Sequence, residues 1–259
     1  MSDRRRIAAF LAVALFAAPI AFAVDAPPAV KPADPVKPAA PKPPAPKESA
    51  TEPKPKTGTW TATHDKYVAQ AKEKAGNVDL LFVGDSITAG WNGQKKIWES
   101  AWGKYKPHNI GIGGDRTQHV IWRLQNGEVA GLKPKVTVLM IGTNNLGGNS
   151  NEEIVAGITA CVAEIKKQMP ETKVLLLGVF PRSPKATDAA RPRIKAINTE
   201  IAKLDDGKTV KYLDIGEKFL EPDGTLTKEV MNDFLHLTPK GYQIWADNVG
   251  PVVEQMIKG

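Results

Sequence analysis

Cysteine is nearly missing. Cys161 stands alone among 259 residues, so an intramolecular disulfide and a cysteine-built zinc site are both excluded. Ile158, Val162 and Ile165 surround it at helical spacing, which reads as a buried apolar stripe and not as a reactive thiol. Histidine is scarce too. The four histidines, His64, His108, His119 and His236, show no clustered spacing, so no metal and no other cofactor is expected. Basic blocks interleaved with aromatics are absent. The net charge is +7, but residues 1–57 hold nine Lys or Arg against five Asp or Glu, which leaves only +3 for the rest. A nucleic-acid partner is therefore not expected. Proline is sparse except in one stretch: eleven of the 21 fall between Pro27 and Pro55, and that stretch cannot build a packed core.

What precedes the domain has its own logic. Arg4, Arg5 and Arg6 lead an uncharged apolar run from Ile7 to Ala23, which ends Ala21-Phe22-Ala23. This is the pattern of a secretory signal cut before Val24. The run is long, so an uncleaved membrane anchor is the competing reading. Residues 24–57, rich in Pro, Ala and Lys, form a linker expected to be disordered or extended. As polyproline helix it would reach on the order of 90 Å. It serves either as a spacer from the cell envelope or as a plain tether. The domain is expected over 58–259, exported to the periplasm or the medium.

From residue 58 apolar runs alternate with amphipathic stretches. Five strands are expected: Asp79–Val83, His108–Ile112, Val136–Ile141, Lys173–Val179 and Val210–Asp214. The third and fourth are nearly continuous in Val, Leu and Ile, as strands buried on both faces should be. Ile154, Ile158, Cys161, Ile165 and Met169 share one helical face, as do Ile194, Ile197, Ile201 and Leu204, and Tyr242, Trp245, Val249, Val252 and Met256. Thr61–Ala75 and Arg116–Leu124 suit two further helices, and Thr238-Pro239 suits the start of the last one. The alternation predicts a three-layer α/β domain, a mostly parallel sheet with helices on both faces. In such sheets chemistry lies just beyond the carboxyl ends of the strands.

Those positions are informative. Gly84-Asp85-Ser86 follows the first strand, Gly111-Ile112-Gly113-Gly114-Asp115 the second, and Gly142-Thr143-Asn144-Asn145 the third. A glycine turn can expose a serine hydroxyl, glycines let backbone N–H groups approach a ligand, and an asparagine amide can steady negative charge. No Lys-Ser or Lys-Thr follows the glycine run, which argues against a phosphate loop. Asp233-Phe234-Leu235-His236 precedes the last helix. A hydroxyl nucleophile needs a base, and the base needs a partner to fix its tautomer. Singly, each segment also suits an ordinary turn. His119 reads as structural, and His64 and His108 have no carboxylate partner near in sequence. Trp91, Trp98 and Trp102 read as packing.

Together and in this order the four segments resemble the motif blocks of the SGNH (GDSL) hydrolase family. Asn109–Asp115, Thr117–Leu124, Asn126-Gly127-Glu128, Gly142–Asn145 and Leu235-His236-Leu237 resemble the branch that holds the catalytic subunits of intracellular platelet-activating factor acetylhydrolase. The likeness runs over about residues 75–257. It implies a flavodoxin-like five-stranded sheet of order 2-1-3-4-5. It also implies a triad of Ser86, His236 and Asp233, and an oxyanion hole from the Ser86 and Gly114 N–H groups and the Asn144 amide. Asp85 and Arg116 are candidate substrate contacts. Arg116 either favours an anionic group or pairs with Asp115. The leader and linker depart from that branch.

The expectation is a serine esterase acting on short acyl groups such as acetyl, on an acetylated sugar, a cell-wall glycan or a lipid. A lysophospholipase and a non-catalytic binding domain are the alternatives.

Overall fold

The computed structural model describes residues 48–259. The basic and apolar leader and linker residues 24–47 lie outside them. Five parallel strands, β1 (Leu80–Gly84), β2 (Pro107–Asn109), β3 (Val136–Met140), β4 (Lys173–Leu177) and β5 (Val210–Leu213), form one sheet in the order β2-β1-β3-β4-β5. The order reverses beside β1, so the loops after β1 and β3 flank a crevice at the carboxyl edge. Open α/β sheets bind ligands in such crevices. The second strand is shorter than expected. Past Asn109 the chain still follows β1, with Ile110 N–H on Phe82 C=O at 2.9 Å and Ile112 N–H on Gly84 C=O at 3.2 Å, and then leaves through the glycine run.

Side chains alternate along the strands, and each parity feeds its own core. Leu81, Val83, Leu139, Val174 and Leu176 meet α1 (Thr59–Glu73), α4 (Thr117–Gln125), α5 (Asn151–Gln168) and α6 (Ala190–Ile201). Leu80, Phe82, Val138, Met140 and Leu175 meet α3 (Lys95–Trp102) and α7 (Pro239–Lys258). A one-turn helix, α2 (Ser86–Ala89), leads out of β1. Cys161 lies fully buried in the first core. Trp91 and Trp102 are buried in the second, with Trp98 packed against it, so the three tryptophans pack as expected. Helix starts follow local chemistry. Ser150 and Glu153 exchange side-chain and backbone bonds at the head of α5. Thr238 accepts from Gly241 N–H ahead of Pro239 at the head of α7.

Attachment to the domain begins earlier than residue 58. Ala50 is buried, and its carbonyl accepts from Thr117 Oγ1 at 2.6 Å. The Glu48 carbonyl accepts from Asn149 Nδ2 at 2.9 Å, and Lys54 N–H donates to Gln118 C=O at 3.2 Å. Composition alone could not separate these residues from the linker, because their fixity comes from partners far along the chain.

Candidate active site

Ser86 is the first residue of α2. The preceding Gly84 closes the turn tightly: a Cβ there would overlap the Met140 carbonyl and the Thr88 hydroxyl, so only glycine fits. Starting a helix leaves the Ser86 N–H among the donors without an intrahelical partner. The short α2 turn is braced from three sides. Tyr242 Oη donates to Ile87 C=O at 2.7 Å, Asn109 Nδ2 donates to Thr88 C=O at 2.9 Å, and Asp85 Oδ1 accepts Ile87 N–H at 2.9 Å.

His236 arrives from the loop before α7. Its Nε2 lies 2.9 Å from Ser86 Oγ, and its Nδ1 lies 2.7 Å from Asp233 Oδ2. The other Asp233 oxygen accepts from the N–H groups of Leu235 and His236 at 3.1 and 2.7 Å. One carboxylate therefore holds both the turn and the ring, as an aspartate in a tight turn can. Burial pushes the Asp233 carboxyl up, but bonds from the His236 backbone and ring outweigh it and hold it below its usual value. Phe234, between the two, sits in the left-handed region at φ 59°, uncommon for a bulky side chain. Its carbonyl accepts from Ser183 N–H at 3.0 Å, which ties the loop to the chain after β4.

The second and third loops close the other side. Gly114 has φ +72° and is exposed with Gly113. Asn144 Nδ2 donates to Asp115 C=O at 2.8 Å and lies 3.5 Å from Asp85 Oδ2. One of its hydrogens is committed, and the other is held only weakly. Asn144 thus touches the neighbours in sequence of both Ser86 and Gly114, so the three loops adjoin at one edge of the sheet.

The two candidate substrate contacts fare differently. Asp85 has no exposed surface, so it braces α2 and is no contact for substrate. Burial, its largest influence, pushes the carboxyl up to about 7 against the bond from Ile87 N–H. Arg116 does not pair with Asp115. It reaches Glu48 at 3.5 Å, because Asp115 is taken by Arg123.

That pairing belongs to a buried network the sequence did not disclose. Arg123, Asp115 and Glu128 are fully buried. Arg123 Nε donates to Asp115 Oδ2 at 2.7 Å, and its Nη1 donates to Glu128. The same guanidinium reaches Ile110 C=O at 2.8 Å and Gly84 C=O at 3.3 Å. It therefore knits together the two strand ends from which the serine and glycine loops spring. His64 Nδ1 meets Glu128 Oε1 at 2.8 Å, a carboxylate partner 64 residues away. Among the described residues His108 has no such partner, and burial lowers it to about 4. Burial also lowers His119 to about 4, while its Nδ1 accepts Arg116 N–H at 2.9 Å. Its role is structural, as expected.

A cavity of about 690 Å³ lies elsewhere, between α6 and the chain after β5, around Asn198, Tyr212 and Asp214. Its polar groups bond one another: Asn198 Nδ2 and Tyr212 Oη both donate to Asp214 Oδ2. No member of the Ser86–His236–Asp233 relay lines it, so chemistry and not volume locates the site. Among the described residues no group of three or more His, Cys, Asp or Glu could hold a metal ion.

A hydroxyl joined through an imidazole to a carboxylate, set at the carboxyl edge of this flavodoxin-like sheet, defines the class: a serine hydrolase acting on ester bonds. Residues 82–244 match the GDSL-like Lipase/Acylhydrolase family, and the chain belongs to that family. The chain is 40% identical over 183 residues to "Platelet-activating factor acetylhydrolase IB subunit alpha2" of Gallus gallus, covering 71% of this chain and 78% of that protein. Among solved structures it is similar to a GDSL-like lipase from Bacteroides thetaiotaomicron, with TM-score 0.63 and 20% identity over 75% of this chain and 98% of that one. It is also similar to an acetylxylan esterase from Geobacillus stearothermophilus, with TM-score 0.55 and 18% identity over 68% and 94%.

Proposed function

We propose that the chain is an exported esterase that removes short acyl groups, acetyl foremost, through an acyl-enzyme at Ser86. The observation that carries the reading is the continuous relay from Ser86 Oγ to His236 Nε2 at 2.9 Å and from His236 Nδ1 to Asp233 at 2.7 Å. Ser86 Oγ attacks the ester carbonyl as His236 Nε2 takes its proton. The carbonyl oxygen becomes an oxyanion that accepts from Ser86 N–H, Gly114 N–H and the weakly held Asn144 hydrogen. Asp233 keeps Nδ1 protonated and steadies the imidazolium. When the intermediate collapses, His236 returns the proton to the leaving alcohol. Water then attacks the acyl-enzyme through the same base, and Ser86 is restored.

A short acyl group is favoured because relatives about 40% identical in sequence carry acetylhydrolase in their names and a structural neighbour is an acetylxylan esterase. Export is supported by the basic and apolar pattern of residues 1–23. An acetylated sugar or cell-wall glycan suits that location. The test is hydrolysis of p-nitrophenyl esters of increasing acyl length by wild type and Ser86→Ala. The expected result is a rate that falls steeply beyond acetyl and vanishes in the variant. Equal rates in both proteins would contradict the reading.

A further inference from the structure

We propose that Lys56 is a specificity-determining residue of the ester site, which sets a positive charge beside the Gly113-Gly114 loop so that esters bearing a carboxylate are preferred. This deepens the esterase reading and rests on it. Lys56 lies outside the family match, which spans residues 82–244, yet it is held firmly. The bonds at Glu48, Ala50 and Lys54 fix the segment before it, and Thr61 Oγ1 donates to the Lys56 carbonyl at 3.2 Å.

From that anchor the side chain crosses to the site. Lys56 Nζ donates to Gly114 C=O at 3.0 Å. A Cβ on Gly114 would lie 3.1 Å from this nitrogen, and one on Gly113 would lie 3.9 Å from Ser86 Cβ. The ammonium is thus one loop's width from the nucleophile, on the side where Gly113 and Gly114 face solvent. An ammonium has three donors, and one is used. Nearby acids are already engaged. Asp115 is buried against Arg123 at 2.7 Å, and Glu48 meets Lys54 at 2.6 Å and Arg116 at 3.5 Å. Among the described residues Lys56 has no carboxylate partner, so its charge is free to meet one on a ligand. Arg116, the cation the sequence suggested, is occupied.

The experiment compares kcat/KM for phenyl acetate and meta-carboxyphenyl acetate, whose ester groups are alike and whose charges differ. The readout is the ratio of the anionic to the neutral ester at low salt. Lys56→Ala is expected to lower the ratio roughly three- to fivefold, the scale of an exposed ion pair. Lys56→Arg should keep it, Lys56→Glu should lower it further, and added salt should bring wild type toward the Ala variant. Lys258→Ala is the charge control. Lys258 ends α7, about 30 Å along a 20-residue helix from the His236 loop, and its variant should leave the ratio unchanged. A ratio unaltered in Lys56→Ala, or lowered equally in Lys258→Ala, overturns the proposal while the esterase reading stands. Wild type that hydrolyses neither ester overturns both.

Discussion

Two sets of charges serve the same edge of the sheet under opposite conditions. The Asp233–His236 pair is about half exposed, with side-chain exposures of 52% and 43%, and it sits on a loop strained at Phe234. The Arg123–Asp115–Glu128 network has none of its side chains exposed, and it sits beneath the loops. In the proposed mechanism His236 exchanges protons with substrate and water while Asp233 orients it, so the pair needs access and tolerates strain. The buried network moves nothing. It sets one guanidinium between two carboxylates and occupies the carbonyls of Gly84 and Ile110 where the strands end. Function and framework therefore divide by burial, although both are made of ionic groups.

Breaking each side tests that division. The largest effect is expected on the reactive side: Ser86→Ala should lower kcat on p-nitrophenyl acetate by roughly 10⁴- to 10⁶-fold with unchanged melting temperature, and Asp233→Ala by roughly 10³- to 10⁴-fold with a modest loss of stability, since its carboxylate also holds the turn. The framework should respond in the reverse sense. Arg123→Ala leaves two buried carboxylates without their cation and should cost about 3–5 kcal/mol of stability in denaturant unfolding. Asn144 lies between the two sides, since its amide touches Asp115 C=O and faces the crevice. Asn144→Ala should lower kcat by about 10²- to 10³-fold with a smaller loss of stability.

A further effect concerns pH. Burial raises the Asp85 carboxyl from 3.8 to about 7 in the fold. Between those values the folded chain binds more protons than the unfolded one, so this group lowers stability as pH rises. Asp85→Asn removes that contribution. Its stability relative to wild type should grow from pH 4 to pH 7, by at most about 1.4 kcal/mol per pH unit, read from melts at both ends. A difference that stays flat or shrinks would show that Asp85 is not held as a buried acid.

The reactive side was legible in the sequence, and the framework was not, for a physical reason. Asp233 and His236 are three residues apart, and Ser86, Gly114 and Asn144 each follow a strand whose apolar run marks it. Local spacing and strand order made each a candidate, and the resemblance of the four segments in order to one family's motif blocks joined them into one site. The sheet was legible for the same reason, with strand ends shifted by a residue or so. The exception was β2, which gives way to the glycine run earlier than its apolar pattern implied. The framework rests on pairs such as Trp60 Nε1 with Asp115 Oδ1 and His64 with Glu128, 55 and 64 residues apart. No periodicity connects such residues. Asp85 was misjudged as a substrate contact because its place beside the nucleophile is visible in sequence and its burial is not. Nothing in sequence sets Lys56 apart from the linker, since its neighbours are prolines and lysines, while its partner, the Gly114 carbonyl, lies 58 residues on.

The central claim is that Ser86 is the nucleophile and His236 the base that activates it. Labelling with a fluorophosphonate, followed by peptide mass mapping, tests it most directly. One adduct, located on Ser86, formed in step with loss of esterase activity and nearly absent from His236→Ala, is the predicted result. An adduct on another residue, or full esterase activity after complete labelling of Ser86, would contradict it.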